Sequence, residues 1–396
     1  MNLFDSILKW NNNLIDKICL NNNLDKNLII KSLFLTIAFH DIGKANEKFQ
    51  AKVRQEKFDG LESHPLSSIP FIYYITKDEP LIKIKYNCFY PETLSIASHH
   101  SKLHKYLFDT KNYLKMKIHY ASEDYFNLFF ELVNSCANAN SVPLWMNLKF
   151  KSEIINGINP LNLLKDVIMD PIPNFQYNSE QIRSIFILFK SVLHYADWLA
   201  SSSNKNYQYT TRENLGSITK KMELKIPEFT EWQNFQKLAS NCSKNIFVQI
   251  PTGQGKTEAA ILWAVNQNDF QKIIFLLPTM VTTNKMYSRM INLFDNIDSV
   301  GLSHGTAQYV LKEINQEIES NELRSNYLYN RTFFKPVTVA TVDQLIYSFF
   351  NWGYWVLTSS ASYNAKIIID EIHIYDAYTF GLILSIIELI SRYNTQ

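Results

Sequence analysis

Residues 249–260 read QIPTGQGKTEAA, and this stretch decides how the second half of the chain folds. It follows the apolar run NIFVQI (245–250), which we interpret as a β-strand, and precedes a segment with helical character. Gly253 and Gly255 allow the backbone to bend, so that consecutive N–H groups converge on an anion at the positive end of a helix. A strand, a glycine loop and a helix in this order predict a phosphate-binding loop.

The side chains of the same stretch favour a nucleotide as the anion. Lys256 is expected to reach the β and γ phosphates, and Thr257 to hold Mg²⁺. The pattern GxxxxGK[ST] asks for a small residue at position 250, where this chain has Ile250. We expect this departure to be tolerated because the position ends the strand.

A second acidic motif supports this interpretation. The run KIIIDEIH (366–373) delivers Asp370 and Glu371 to the carboxyl end of a predicted strand, where open α/β sheets bind ligands. Asp370 suits Mg²⁺, and Glu371 suits orienting and deprotonating an attacking water. Taken alone, two carboxylates after an apolar run more often begin a helix or lie in a solvated turn.

The two halves of the chain differ in the spacing of their apolar residues. Up to about residue 200, apolar residues recur at helical spacing, as in 28–44 and 181–202, and runs typical of strands are scarce. After the polar stretch at 201–217, strand-like runs alternate with helical segments; besides 245–250 they are KIIFLLP (272–278), VTVATV (337–342) and KIIIDE (366–371). This order predicts an all-α domain over 1–205, a linker over 206–228 and an α/β domain with a mainly parallel sheet over 229–396.

Composition limits the protein class. The chain has 396 residues, 46% of them hydrophobic, and a formal net charge of +2, so we expect a globular protein in which any nucleic-acid surface is a local feature. Four cysteines without a CxxC pair indicate neither a zinc ribbon nor a disulfide framework and fit a reducing cytoplasm. The apolar runs are too short to span a membrane, and the N-terminus lacks the pattern of a secretory signal.

Imidazoles and carboxylates recur at four stations in the helical half. They are His40 and Asp41 in FHDIGK, His64 in ESHPLSS, His99 and His100 in IASHHSKLH, and Asp197 in LHYADWLAS. These donors suit first-row divalent metals, and two such ions can clamp the attacking and leaving oxygens of a phosphodiester. Adjacent histidines diverge on a regular helix, so His99 and His100 can share a metal only if the helix bends or ends there.

The second half resembles superfamily 2 helicases. The motifs PTGQGKTE (251–258), FLLPTMVTTNKMYSRM (275–290), SHGTA (303–307), VTVATVDQLI (337–346) and IIIDEIHIYDAY (367–378) occur in that superfamily's order. The resemblance implies a RecA-like domain that binds ATP and Mg²⁺; the residues it assigns to the nucleotide are Gln236, Thr252, Gly253, Gln254, Gly255, Lys256, Thr257, Asp370 and Glu371. It assigns contacts with single-stranded DNA to Thr279, Thr282, Thr283 and Thr341. Without the resemblance, most of these threonines are ordinary turn and capping residues.

The two halves together resemble the CRISPR-associated HD nuclease-helicases of type I interference. The resemblance implies one metal held by His40, Asp41 and Asp197, and a second held by Asp41, His64, His99 and His100. It places Lys44 near the scissile phosphate, and it gives catalytic roles to His40, Asp41, Lys44 and Glu371. It also implies Mn, Fe, Co or Ni in the HD site, single-stranded DNA as substrate and an RNA-guided surveillance complex as partner.

One departure concerns the first metal. The family supplies a further histidine from an earlier helix, and this chain has no histidine before His40. His194 precedes Asp197 by three residues, so on a helix both lie on one face and His194 could supply the missing nitrogen. The alternative, which we favour, is that His194 packs beside Tyr195 or faces solvent.

Three function classes follow from these motifs. The first is a metal-dependent nuclease for single-stranded DNA joined to the ATP-binding first half of a helicase. Because no second RecA-like domain follows the Asp370 motif in the sequence, we expect little hydrolysis by this chain alone and consider a separate chain that carries the second domain. The second class is an HD phosphohydrolase of nucleotides, and the third is a catalytically impaired binding or regulatory protein.

Overall fold

The computed structural model describes residues 3–59, 62–77, 82–84, 87–100, 111, 116–120, 123–142, 155–169, 179–202, 215–251, 253–265, 272–294, 297–314, 320–393 and 395–396. The chain divides into two compact units, Met1–Ser203 and Asn204–Gln396. The predicted fold class is confirmed, since a helical unit precedes a unit with a parallel sheet. None of the described helices is both long enough and apolar enough to cross a membrane.

The first unit is built from helices around an aromatic core. They are α1 (Leu3–Asn22), α2 (Lys26–Phe39), α3 (Glu47–Val53), α4 (His64–Thr76), α5 (Pro91–Ala97), α6 (Glu123–Ala139), α7 (Pro160–Met169) and α8 (Ser179–Ser201). A short antiparallel ribbon of β1 (Ile82–Ile84) and β2 (Asn87–Phe89), which the sequence analysis did not predict, precedes α5. Phe39 at the end of α2 and Phe71 in the middle of α4 are buried in this core, which anchors two of the helices that carry candidate metal ligands.

The second unit contains a four-stranded parallel sheet. Its strands are β3 (Lys272–Leu277), β4 (Val300–Ser303), β5 (Val337–Thr341) and β6 (Ala365–Ile369), in the order β4-β5-β3-β6. Every residue of β3 is buried, as expected for a central strand covered on both faces. The runs at 272–278, 337–342 and 366–371 therefore contain strands as predicted, and β4 is an additional strand.

Helices surround this sheet. They are α9 (Leu215–Lys225), α10 (Asn234–Ser240), α11 (Lys256–Val265), α12 (Met280–Phe294), α13 (Ala307–Ile314), α14 (Ser320–Arg331), α15 (Val342–Phe349), α16 (Trp355–Ser362) and α17 (Ala377–Ile390). The C-terminal residue Gln396 pairs with the outer edge of β6, because Gln396 N donates to Ala365 O and Ile367 N donates to Gln396 O.

Two predictions at the start of this unit differ from the structure. Residues 245–250, predicted as a strand, belong to no described strand, and Phe247 is 78% exposed. The outer edge of β6 pairs with Gln396 instead. Within the range predicted as a linker, α9 forms instead, since its apolar residues Ile218 and Met222 are buried in the core of the second unit.

Candidate metal centre and nucleotide site

The end of α2 presents the His-Asp pair. The helix ends at the buried Phe39, His40 occupies its C-cap, and Asp41 begins the 3₁₀ turn Ile42–Ala45. His40 Nδ1 lies 2.7 Å from Ile37 O. Because a carbonyl oxygen can only accept a hydrogen bond, we assign the proton of the neutral ring to Nδ1, which leaves the lone pair on Nε2.

Glycine is required next to this pair. A Cβ at Gly43 would lie 2.1 Å from His64 O and 2.7 Å from Ser68 N, distances that no side chain tolerates. Gly43 N donates to Ser68 Oγ at 2.8 Å, and the same hydroxyl lies 2.8 Å from His40 O and 3.0 Å from His64 O. Ser68 therefore connects the segments that carry His40 and His64. Ser68 was not predicted as a site residue, although it lies one helical turn after His64 in the sequence.

His64 and the His99-His100 pair come from two further helix ends. His64 is the first residue of α4, and α5 ends at Ala97, so His99 and His100 lie in the turn that follows. The rings of His99 and His100 have centroids 4.0 Å apart. The end of α5 provides the break in the helix that the sequence analysis required for both imidazoles to face one site.

Asp41 is shared by two groups of donors. Its Oδ1 lies 3.4 Å from His64 Nε2 and 3.9 Å from His99 Nε2. Its Oδ2 lies 3.4 Å from His40 Nε2, which is 3.7 Å from Asp197 Oδ1. Within each group the ligand atoms lie within 4.8 Å of one another, and the groups are Asp41, His64, His99 and His100, and His40, Asp41 and Asp197.

Four polar atoms in these groups are buried and have no hydrogen-bond partner in the described part of the chain. They are His40 Nε2, Asp41 Oδ1, His64 Nε2 and His99 Nε2. Each unmet buried polar atom costs about 1–3 kcal/mol, so four of them converging on one place need an explanation. Nitrogen and carboxylate donors at this spacing fit divalent first-row metal ions, which would satisfy all four atoms.

Burial prepares His64 and His99 to coordinate, because it favours their neutral form. Burial lowers the pKa of His99 to about 3 and that of His64 to about 4. His99 Nδ1 also lies 2.6 Å from Ile96 O, so the neutral ring carries its lone pair on Nε2, the atom that faces Asp41. Burial also acts on His40, but the neighbouring Asp197 and Asp41 outweigh it and raise the pKa of His40. His40 in turn holds the pKa of Asp197 below its usual range.

Lys44 lies at the rim of this site. Its Nζ is 2.5 Å from Asp41 Oδ2, and its side chain is 43% exposed. Among the described residues, the two donor groups do not include His194. The ring of His194 lies beside Trp198, with centroids 5.5 Å apart, and burial lowers its pKa to about 3. This geometry does not support the hypothesis that His194 completes the first group.

The glycine loop of the second unit has the conformation expected of a phosphate-binding loop. Gly253 has φ of +85° and Gly255 of +87°, which only glycine adopts readily. Lys256 begins α11, and its Nζ lies 4.0 Å from Glu371 Oε1. Gln254 lies between the two glycines and Thr257 follows Lys256, whereas Thr252 lies outside the described residues.

The Asp370-Glu371 motif lies at the end of β6, beside Lys256. Asp370 N donates to Leu276 O of the neighbouring strand, and Glu371 N donates to Asp370 Oδ1 at 2.9 Å. Glu371 adopts a left-handed backbone with φ of 52°. Burial raises the pKa of Asp370. A cation near these carboxylates and a phosphate near Lys256 would share one polar site.

This polar site forms one end of a cavity of about 630 Å³ between residues 245–250 and β6. Lys256, Thr257, Asp370 and Glu371 line that end, and the remaining lining is largely aliphatic. The prediction of a nucleotide site therefore applies only to the polar end of this cavity.

Three residues predicted to contact ligands are engaged internally. The Gln236 amide accepts from Gln233 N and donates to Gly255 O, so it supports the loop rather than facing an adenine. Thr283 is fully buried and donates to Thr279 O, and Thr341 is 4% exposed. Their burial in the described conformation argues against DNA contacts by these two side chains. Thr279 and Thr282 remain near the surface.

Comparison with known proteins matches both units. Residues 3–205 match the family described as "Cas3, HD domain", and residues 232–395 match "DEAD/DEAH box helicase". A protein of Methanocaldococcus jannaschii provisionally described as CRISPR-associated nuclease/helicase Cas3 is 31% identical over 393 residues, which cover 89% of this chain and 51% of that protein. The CRISPR-associated nuclease/helicase Cas3 of Methanothermobacter thermautotrophicus is 24% identical, with 91% of this chain and 46% of that protein covered.

Solved structures agree on the fold. The crystal structure of T. fusca Cas3 with AMPPNP has a TM-score of 0.56 and 15% sequence identity, covering 99% of this chain and 47% of that chain. The structure of the same protein with ATP has a TM-score of 0.55. The chain thus spans about half the length of the relatives it matches.

Proposed function

The chain belongs to the CRISPR-associated Cas3 HD nuclease-helicases, and from this premise we propose that its first unit is a metal-dependent nuclease that cuts single-stranded DNA. The second unit would bind ATP and Mg²⁺ as part of a helicase motor. We further propose that the protein acts in CRISPR interference, recruited by an RNA-guided surveillance complex.

One observation supports the nuclease proposal most directly. The four buried atoms His40 Nε2, Asp41 Oδ1, His64 Nε2 and His99 Nε2 have no hydrogen-bond partner among the residues that the structure describes. A structural role for this cluster would leave its burial unexplained, because buried polar groups are normally paired. The two donor groups around Asp41 would hold two transition-metal ions such as Mn, Fe, Co or Ni.

The residues divide the work as follows. Ions held by these residues would activate a water at neutral pH and compensate charge at the phosphodiester. Asp41 holds both groups together through its two oxygens, and the Ile37 and Ile96 carbonyls hold the rings of His40 and His99 in the tautomer with Nε2 free. Lys44, partly exposed and flexible, is suited to neutralise a non-bridging phosphate oxygen of the substrate.

The ATP-binding proposal is supported by a different set of residues. The left-handed Gly253 and Gly255 place Lys256 at the start of α11, 4.0 Å from Glu371. Lys256 would bind phosphate oxygens, Thr257 and Asp370 would hold Mg²⁺, and Glu371 would orient the attacking water.

The test uses the purified full chain, stripped with chelator and reloaded with Mn²⁺, Co²⁺, Ni²⁺ or Fe²⁺. Circular single-stranded DNA is the substrate, and bound metal per chain is measured beside cleavage. We expect His99→Ala to lose both bound metal and cleavage. His119→Ala, which changes an exposed histidine outside both donor groups, serves as the matched control and should lose neither.

Other outcomes would identify the competing functions. Metal-dependent phosphate release from free nucleotides, without DNA cleavage, would indicate a phosphohydrolase. Tight metal binding with no turnover of either substrate would indicate a binding or regulatory protein. Equal cleavage by wild type and His99→Ala would refute the assignment of the site.

A further inference from the structure

A second, smaller cavity lies in the second unit beyond the ends of β4 and β5. Its volume is about 230 Å³, which is below the range of about 300–1,000 Å³ typical of sites for drug-sized ligands. Ser303 and His304 line it on one side, and the turn that follows α15 lines it on the other. It is separate in its lining from the nucleotide site described above.

Aromatic side chains form its rim. Tyr347 is 48% exposed, Trp352 68% and Tyr354 44%, and all three line the cavity. Their backbone is fixed by a tight turn, since Trp352 N donates to Tyr347 O at 3.1 Å and Gly353 has φ of +62°. Clustered exposed aromatics held in this way are typical of surfaces that bind a ligand.

The charge of the cavity favours an anionic ligand. Arg331 lines it, with its guanidinium 5.7 Å from the centre of the Tyr354 ring. Among the described residues that line the cavity, none is an aspartate or a glutamate. Ser303 and Gln344 add neutral polar groups.

The His304 side of the cavity is in contact with the start of α12. His304 Nε2 lies 2.8 Å from Asn284 Oδ1, and Thr306 Oγ1 donates to Met280 Sδ at 3.4 Å. Met280 and Asn284 belong to α12, whose preceding loop carries Thr279. A strand of nucleic acid at Thr279 would therefore pass the mouth of the cavity.

From these observations we propose that the cavity binds one unstacked base of a single-stranded nucleic acid. The base stacks on the Trp352 and Tyr347 side of the rim, and Arg331 contacts the adjacent phosphate. Because every base can stack on an aromatic ring, this site adds binding affinity without sequence specificity. The inference rests on the proposed function, since it takes single-stranded nucleic acid as the substrate. It adds contacts from Tyr347, Trp352 and Arg331, which lie outside the motifs quoted above.

The experiment measures binding in a background that cannot cleave. The full chain with Asp41→Asn, without added metal, is titrated into an oligo(dT) that carries a single 2-aminopurine and a terminal fluorophore. Anisotropy gives the affinity and 2-aminopurine quenching reports stacking; an RNA of the same sequence tests whether the sugar matters. Circular dichroism verifies that each variant is folded.

We expect Trp352→Ala to weaken binding by roughly tenfold, as for the loss of one stacked base, and to abolish the quenching. Trp352→Phe should restore most of both signals. Arg331→Gln should reduce the slope of log affinity against log salt by about 0.7, the value for one phosphate contact on a single strand. Phe350→Ala is the matched control, because Phe350 is an aromatic in the same turn, 58% exposed, that does not line the cavity.

Equal affinity and quenching for wild type, Trp352→Ala and Phe350→Ala would overturn the inference and assign the rim to a protein contact instead. In that case DNA cleavage by the wild-type chain would leave the proposed function standing. A wild-type chain that neither binds nor cleaves single-stranded nucleic acid would refute both.

Discussion

Replacing Gly43 by alanine tests whether the metal centre depends on the close contact between the His40 and His64 segments. The added Cβ would lie 2.1 Å from His64 O and 2.8 Å from Ser68 Oγ, so α4 must move away. Overpacking of this kind costs about 2 kcal/mol, and loss of the buried hydrogen bond from Gly43 N to Ser68 Oγ costs about 1 kcal/mol.

The sum of about 3 kcal/mol sets the size of the effect. For a unit of about 200 residues each kcal/mol shifts Tm by about 2–4 °C, so we expect Gly43→Ala to lower the Tm of the first unit by about 6–12 °C. Because α4 carries His64, movement of this helix also separates His64 Nε2 from Asp41 Oδ1. Loss of such supporting contacts typically lowers metal affinity by about 10–100-fold.

Two measurements separate these effects. Calorimetric unfolding gives Tm, and metal titration at a temperature where the variant is folded gives affinity. Ser68→Ala removes the hydroxyl without adding a clash, so it should lose affinity with a smaller change in Tm. Gly381→Ala, at a helical glycine with open space around it, is the control and should not lower Tm. Wild-type Tm and metal affinity in Gly43→Ala would refute the reasoning.

Three further results are expected. Asp41→Asn should reduce bound metal at both donor groups, whereas Asp197→Asn should retain the metal of the other group; equal stoichiometry of the two variants in elemental analysis would contradict the shared role of Asp41. Lys256→Ala should lower ATP affinity at least about tenfold by losing a phosphate contact, with bound transition metal unchanged, and calorimetric titration with ATP measures this. Burial raises the pKa of Glu92 to about 7, so the folded state binds the extra proton and the first unit should lose about 3 kcal/mol of stability as pH rises from about 4.3 to 7. Glu92→Gln should flatten this dependence in unfolding curves measured across that pH range, and an unchanged slope would contradict it.

The sequence predicted the order of the two units because hydrophobic periodicity is a local signal. The runs at 272–278 and 337–342 contain strands that are buried on both faces, as continuous apolar runs usually are. Residues 245–250 carry the same signal and belong to no described strand, because pairing depends on which edge is available and not on the run itself. The helix Leu215–Lys225 was missed because its apolar face is short and only its packing on the core distinguishes it from a polar linker.

The candidate ligands could be predicted from the sequence, but the residues that hold them in place could not. Residue type, order and the family resemblance predicted His64 and Asp197 as ligands, and the structure places each of them in a donor group with Asp41. Ser68 is an ordinary residue in sequence, and its role depends on contacts 25 and 28 residues away along the chain. Thr283 is the opposite case. The resemblance assigns it a contact with DNA, but the first turn of α12 buries its hydroxyl, which donates to Thr279 O.

The contrast between local sequence signals and long-range contacts also bears on why most of the candidate donors lie at helix ends. A donor within a helix shares its orientation with residues one turn away, whereas the end of α2 and the start of α4 each set one imidazole and the turn after α5 sets two. Backbone carbonyls then fix His40 and His99, and Ser68 ties two of the three segments together. The arrangement leaves buried polar atoms unpaired, at a cost in stability that a purely structural cluster would avoid. Donors that the backbone and Ser68 already hold this close together fit the proposed metal pair without a rearrangement of the helices.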